Sequence, residues 1–339
     1  FKNIELGMKS VDDKILPLMQ EENAIQTEYN KLLATAKIAW RGETLNLSLM
    51  NPYLHSSDRG IRAEAWKKYT AFFEENQEQL DDIYDRLVKN RTKQGEAMGY
   101  ENYLPLGDAR MMRNCYDRSD MGEFRKQVKR DFVPFAEKLH ERRRQRLGID
   151  HLLYIDEGVY FPQGNPAPIG TPEEILQAGQ KMYRELSKET GEFMDFMREN
   201  ELFDVLGRKT KKTGGYMTYL PDFGAPFIFA NFNGTSGDAD VITHECGHAF
   251  QWYVVKDDPI REHWDITMET AETHSMSMEF FTEPWMNLLF GSRAKDYVDM
   301  HFEDSMAFIP YGTMVDEFQE IAYQNPGLTP AQRNGVWRD

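Results

Sequence analysis

The chain has 339 residues, with 40 Lys and Arg against 56 Asp and Glu and a formal net charge of −16. A pI near 5.0 and a mean hydropathy of −0.66 argue against nucleic acid or an anionic membrane surface as partner. No apolar run approaches the roughly 18 residues of a membrane-spanning helix; the composition agrees with a soluble intracellular enzyme, and the expected setting is the cytoplasm.

In chain order the pattern is mostly helical. Residues 9–33 are a long charged amphipathic stretch. Residues 37–49 alternate around Arg41-Gly42 and read as a β-hairpin. Residues 58–98 carry Trp66, Tyr69, Phe72, Phe73, Leu80, Ile83, Tyr84 and Leu87 at helical spacings, bounded by Gly99. Residues 117–147 form another long helix ending in the basic run Arg142-Arg143-Arg144-Gln145-Arg146. Cations at a helix C-terminus offset the macrodipole, so this run reads as a solvated helix end. Thr171-Pro172-Glu173-Glu174 is an N-cap signal for a helix to about Asn200, and Thr329-Pro330 starts a last one. There are no internal repeats and no low-complexity linker. The expected division is 1–50, the end of a helical region with the hairpin, and 51–339, a catalytic domain.

The chemistry concentrates in residues 238–253, a proline-free helical run that contains His244-Glu245-Cys246-Gly247-His248, the HExxH pattern of zinc peptidases. On a helix, positions i and i+4 lie about 40° apart on one face, so His244 and His248 can aim ring nitrogens at one metal ion. Glu245 lies about 100° round the helix from His244, off the ligand face but within reach of a metal-bound water. Cys246, one of two cysteines, reads as a small packed residue. A metzincin would continue with Gly and His at positions that here hold Gln251 and Val254. A third ligand must come from elsewhere. Residues 268–281 read as a helix on which Glu272, Ser275 and Glu279 form one polar stripe at i, i+3 and i+7. Carboxylates on an otherwise apolar face need a partner, and a zinc ion would supply it. Glu269, one turn earlier, is the rival ligand. His263, His274 and His301 are not at ligand spacing from His244, and His274 reads as a packed histidine on the ligand helix.

These motifs resemble the thimet oligopeptidase and oligoendopeptidase F family of zinc metallopeptidases. The family's second signature places a glutamate some two dozen residues past HExxH, with serine three and glutamate seven residues further on. Glu272, 24 residues after His248, Ser275 and Glu279 match it. Residues 214–235 and 308–319 look like the bacterial oligoendopeptidase branch, and the similarity runs over most of the chain. The resemblance implies a mainly α, zincin-type metallopeptidase catalytic domain with a small β-sheet beside the zinc helix. It also implies one zinc ion held by His244, His248 and Glu272, Glu245 as general base, and short peptides as substrates. Glu279 would orient a ligand or a neighbouring helix, with Ser275 beside it. The strand at 227–232 would be an edge strand that pairs with substrate backbone, making Phe229, Ala230, Asn231 and Gly234 the expected substrate contacts; an interior strand would suit its aromatics equally. The family's transition-state donors, a histidine and tyrosines, are expected beyond Asp339, so the chain reads as an internal piece of a longer protein. Two other functions fit the motifs: a zinc carboxypeptidase of related fold, and a non-catalytic, zinc-holding peptide-binding fragment. Three protein ligands and an open position would mark catalysis, four a structural site.

Overall fold

Single polar side chains break the long helical patterns of this chain into shorter helices. The computed structural model describes residues 1–339. α1 (Lys2–Ser10) ends at Val11, in extended backbone, and the Asp12 carboxylate accepts the Lys14 N–H at 3.0 Å. A side chain that satisfies a free N–H starts a new helix, so the stretch 9–33 is the end of α1 and most of α2 (Leu16–Ala34). β1 (Ile38–Trp40) and β2 (Glu43–Leu45) form the hairpin. Its turn residues Arg41 and Gly42 have φ of 47° and 90°, the left-handed pair that matches strand twist. The hairpin ends at Leu45 rather than Leu49, because Asn46 Oδ1 accepts the Leu49 N–H at 2.9 Å and caps α3 (Leu47–Leu54). At Asn76 the pattern 58–98 divides into α4 (Arg59–Glu75) and α5 (Gln77–Ala97). The Asn76 amide donates to the Phe72 carbonyl at 2.7 Å, in competition with the helix backbone.

After α6 (Leu104–Arg110), a capping box of Asp117 and Asp120 opens α7 (Arg118–Gln127). A π-helical turn, Val128–Phe132, leads into α8 (Val133–Leu147); Pro134 has no N–H for an α-helical bond, and the wider turn precedes it. The basic run at the end of α8 is not a solvated helix end. Arg143 donates to the Glu157 carbonyl at 2.7 Å, Arg144 to Ile149 at 2.8 Å and Arg146 to Tyr160 at 2.6 Å, so these cations satisfy the backbone of the loop that follows. Ser187 splits residues 171–200 into α9 (Pro172–Leu186) and α10 (Lys188–Glu199), its Oγ accepting the Thr190 N–H at 3.1 Å.

The chain forms two compact units. One comprises Phe1–Leu33, Thr70–Arg142 and Glu303–Asp339; the other comprises Ala34–Tyr69 and Arg143–Phe302. In the first, Ile15, Val88, Leu106 and Tyr323 share a core, where Arg91 donates to Tyr323 Oη at 2.7 Å and to Glu22 at 2.7 Å.

In the second unit β3 (Phe203–Leu206), β4 (Tyr216–Leu220) and β5 (Ala225–Phe232) form a sheet in the order β3-β5-β4. β3 runs parallel to β5 and β4 antiparallel. The edge strand expected at 227–232 is therefore the middle strand, and the outer strands are β3 and β4. Its alternating burial fits that place: Ile228, Ala230 and Phe232 join a core with Ile242, Cys246, Ala249 and Met278. Next comes α11 (Gly237–Asp240), a π-helical turn at Val241–Glu245, and α12 (Cys246–Val255). Tyr183 Oη donates to the Ile242 carbonyl inside that turn at 2.9 Å. α13 (Met268–Phe281), α14 (Met286–Phe290) and the long α15 (Ala294–Gln324) follow, and α16 (Pro330–Arg338) begins at the Thr329 cap read from the sequence. The protein is mainly α-helical with small sheets, β4 and β5 lying against α12. No helix is long and apolar enough to cross a membrane.

α12 and α13 cross with their backbones touching. A Cβ on Gly247 would stand 2.7 Å from the Ser275 Cα and 3.2 Å from the His274 carbonyl oxygen. Gly247→Ala should therefore push the two helices apart and lower stability by about 1–3 kcal/mol, read as an earlier midpoint in urea unfolding. An unchanged midpoint would mean that the crossing relaxes at no cost.

Candidate metal centre and cleft

The π-helical turn carries His244 and Glu245, and α12 carries His248. The two imidazole rings lie 4.9 Å apart and nearly perpendicular. From α13, Glu272 Oε2 lies 3.4 Å from His244 Nε2 and 3.7 Å from His248 Nε2. The three ligand atoms fall within 4.8 Å of one another. Two atoms bound tetrahedrally to zinc at about 2.0–2.1 Å stand about 3.3–3.4 Å apart, so this nitrogen and oxygen set fits one such ion. Glu269 is exposed at the start of α13 and lies outside the group.

A second set of bonds aims these side chains. Glu279 accepts His244 Nδ1–H at 2.5 Å through Oε1, which turns the other ring nitrogen toward Glu272. Its Oε2 accepts from His301 Nε2. Ser275, fully buried, donates to Glu272 Oε2 at 3.1 Å. Burial favours a protonated Glu279, but the bonds from His244 and His301 outweigh it and hold the carboxyl at about 2. Burial likewise works against a charged His244, yet Glu272 and Glu279 push its pKa to about 10. The His244 hydrogen bond keeps Glu272 below the usual carboxylate range. Burial, supported by the nearby Glu272 and Glu279 charges, raises Glu245, against His244 and a hydrogen bond from the Met217 backbone.

A cleft of about 440 Å³ opens beside these atoms, its walls including Met217, Glu245, Trp252, Ile266, Met268 and His274. His274 packs edge-on to His248 at 5.9 Å, its Nε2 buried without a hydrogen-bond partner. His263 pairs with Asp258 at 2.9 Å, and Cys246 is fully buried. The residues expected to contact substrate are placed otherwise, as the middle position of β5 requires. Ala230 is in the core. Phe229 stacks on Tyr216 at 5.0 Å. Asn231 donates to the Lys212 and Gly214 carbonyls at 2.9 and 2.8 Å, and the Gly234 N–H is held by Asp238 at 2.9 Å. None of the four lines the cleft; β4, through Tyr216 and Met217, supplies that wall. Sequence reasoning missed the Met217 contact with Glu245 and the pairing of His301 with Glu279. No spacing in the sequence signals the second pairing, which joins residues of two different helices.

Residues 186–334 match the family model of peptidase family M3. A 3.1 Å crystal structure described as an oligoendopeptidase F is 47% identical, with a TM-score of 0.98; the match covers 100% of this chain and 60% of that one. PZ peptidase A with an inhibitor gives the same identity, coverage and TM-score, 47%, 100% and 60%, and 0.98. A protein described as an oligoendopeptidase F from Bacillus anthracis str. Ames is 45% identical with a TM-score of 0.97, covering 100% and 62%. The chain thus spans 60–62% of the length of these solved relatives. No curated protein matches it.

The raised His244 sets a pH dependence for protein kept free of divalent metal. Its ordinary value is 6.5 and its folded value about 10. The stabilisation from its charged form is complete below the first value and is lost as pH rises through the second. Urea midpoints should therefore fall between those limits, and His244→Gln should flatten that part of the curve. A midpoint that rises across this window would refute the assignment.

Proposed function

For a chain that belongs to peptidase family M3, we propose that residues 1–339 carry the zinc site and general base of an endopeptidase that hydrolyses short oligopeptides in the cytoplasm. The observation that supports this most is the convergence of His244, His248 and Glu272 at a cleft whose wall also includes Glu245. His244, His248 and Glu272 hold one zinc ion, and a bound zinc ion would polarise the scissile carbonyl and acidify water. Glu245 takes the proton of the attacking water and returns it to the leaving amine. Its partial burial, which raises its pKa, suits a group that must carry a proton between the two. Glu279 keeps the His244 proton on Nδ1, and Ser275 holds the Glu272 carboxylate in place. The outer edge of β4 offers peptide groups to an extended substrate, a mode of binding that tolerates many side chains.

The two rival readings fit less well. A carboxypeptidase clamps the terminal carboxylate of its substrate with a cation, and within residues 1–339 the lining of this cleft includes no Arg or Lys. A structural zinc site has four protein ligands, whereas three ligand atoms converge here.

Glu245→Gln in the full-length protein should keep its zinc and lose about 100- to 10,000-fold in turnover of a quenched fluorogenic peptide. Loss of zinc, or near-normal turnover, would remove Glu245 from the role of base. In a metal titration Glu272→Ala should weaken zinc binding strongly and Glu269→Ala little. The reverse ranking would move the ligand one turn up α13.

A further inference from the structure

We propose that His301 is a positioning residue for the metal site, fixing the Glu279 carboxylate that in turn sets the ring of His244. The proposal rests on the zinc reading above and extends it to a histidine that is not a ligand.

The geometry is a chain of paired atoms across three helical segments. His301 is 8% exposed and lies on α15. Its Nε2 donates to Glu279 Oε2, while Glu279 Oε1 accepts His244 Nδ1–H at 2.5 Å. The last torsion of a glutamate is broad and soft. With one donor, the carboxylate could swing and carry the His244 ring with it. A second donor on the other oxygen removes that freedom. His301 is itself held. The Tyr297 ring lies nearly parallel to it at 5.8 Å, and Phe280 packs against it at 5.0 Å. Tyr297 Oη donates to Asp240 Oδ1 at 2.6 Å, and Asp240 precedes His244 by four residues on the same helical run. The path Asp240, Tyr297, His301, Glu279, His244 therefore closes on itself. His301 Nδ1 is buried with no hydrogen-bond partner and stands 3.9 Å from Glu283 Oε1, so the hydrogen bond of the ring goes to Glu279.

A contact that merely pins α15 to α13 would leave metal affinity alone, and this separates the two roles. The measurement is competition for Zn²⁺ between the full chain and a chromogenic chelator, with urea unfolding of the metal-free protein as a control for folding. His301→Phe keeps an aromatic ring but no donor, and should weaken zinc binding about 10- to 100-fold. His301→Gln places an amide N–H near the position of Nε2 and should restore most of that loss. Combined with Glu279→Gln, His301→Phe should add nothing further, because both act through one carboxylate. Wild-type affinity in His301→Phe, or a loss that adds fully to that of Glu279→Gln, would overturn the role of His301 while leaving the zinc site intact. Failure of the unaltered chain to take up zinc would bring down the site reading and this proposal with it. If His301→Phe does not fold, His301→Asn decides in its place. Its shorter amide stops short of Glu279, and unchanged zinc affinity there overturns the proposal equally.

Discussion

A carboxylate held between two imidazole rings organises the site. Taking a charge out of water is costly unless it is paired and hydrogen-bonded, and Glu279 meets both conditions through His244 and His301. Hydrogen bonds to an ionised acceptor are short and strong, so the segments that supply them are confined to one arrangement. α13 has to present Glu279 to the π-helical turn and to α15 while presenting Glu272 to His244 and His248. The i, i+3, i+7 spacing of Glu272, Ser275 and Glu279 makes this possible, because two turns of helix bring the first and last residues back to the same face.

The sheet meets the site from another side. β4 touches Glu245 through the backbone of Met217 and lines the cleft with Tyr216 and Met217. β5, between β3 and β4, ties that outer strand to the core under α12. The proposed base and the proposed peptide-binding edge are thus set by one strand, and its register to β5, with Tyr216 opposite Phe229 and Met217 opposite Ile228, fixes both together. The π-helical turn at Val241–Glu245 places Glu245 at the junction with α12, and Tyr183 supports the widened backbone from below.

What the sequence made legible was local. The four-residue spacing of His244 and His248 and the polar stripe of α13 are properties of single helices, and the fold brings them together. The caps at Thr171 and Thr329 are short-range bonds between neighbours. The breaks at Asp12, Asn76 and Ser187 were equally local, but each sits inside an apolar periodicity that continues on both sides, so pattern alone ran through them. Strand order was not legible. Whether residues 227–232 lie at an edge depends on where β3, some twenty residues earlier in the chain, finds its partner. The same holds for His301, whose place beside Glu279 follows from how α15 packs rather than from any spacing. The arginines at the end of α8 misled for a related reason: their partners are carbonyls of the next loop, and composition does not show them.

The closeness of Gly247 to Ser275 bears on how such sites are recognised. Written as His-Glu-any-any-His, the motif treats its fourth position as a wildcard. In this chain that position has almost no freedom, because any Cβ would strike the backbone of α13, the helix that carries Glu272. The five-letter word therefore encodes a tertiary contact as well as a metal-binding face. A chain bearing a larger residue there would have to hold its ligand helix further away or approach it at another angle. Glycine at this position thus reports on the distance between two helices, information that the histidines alone do not carry.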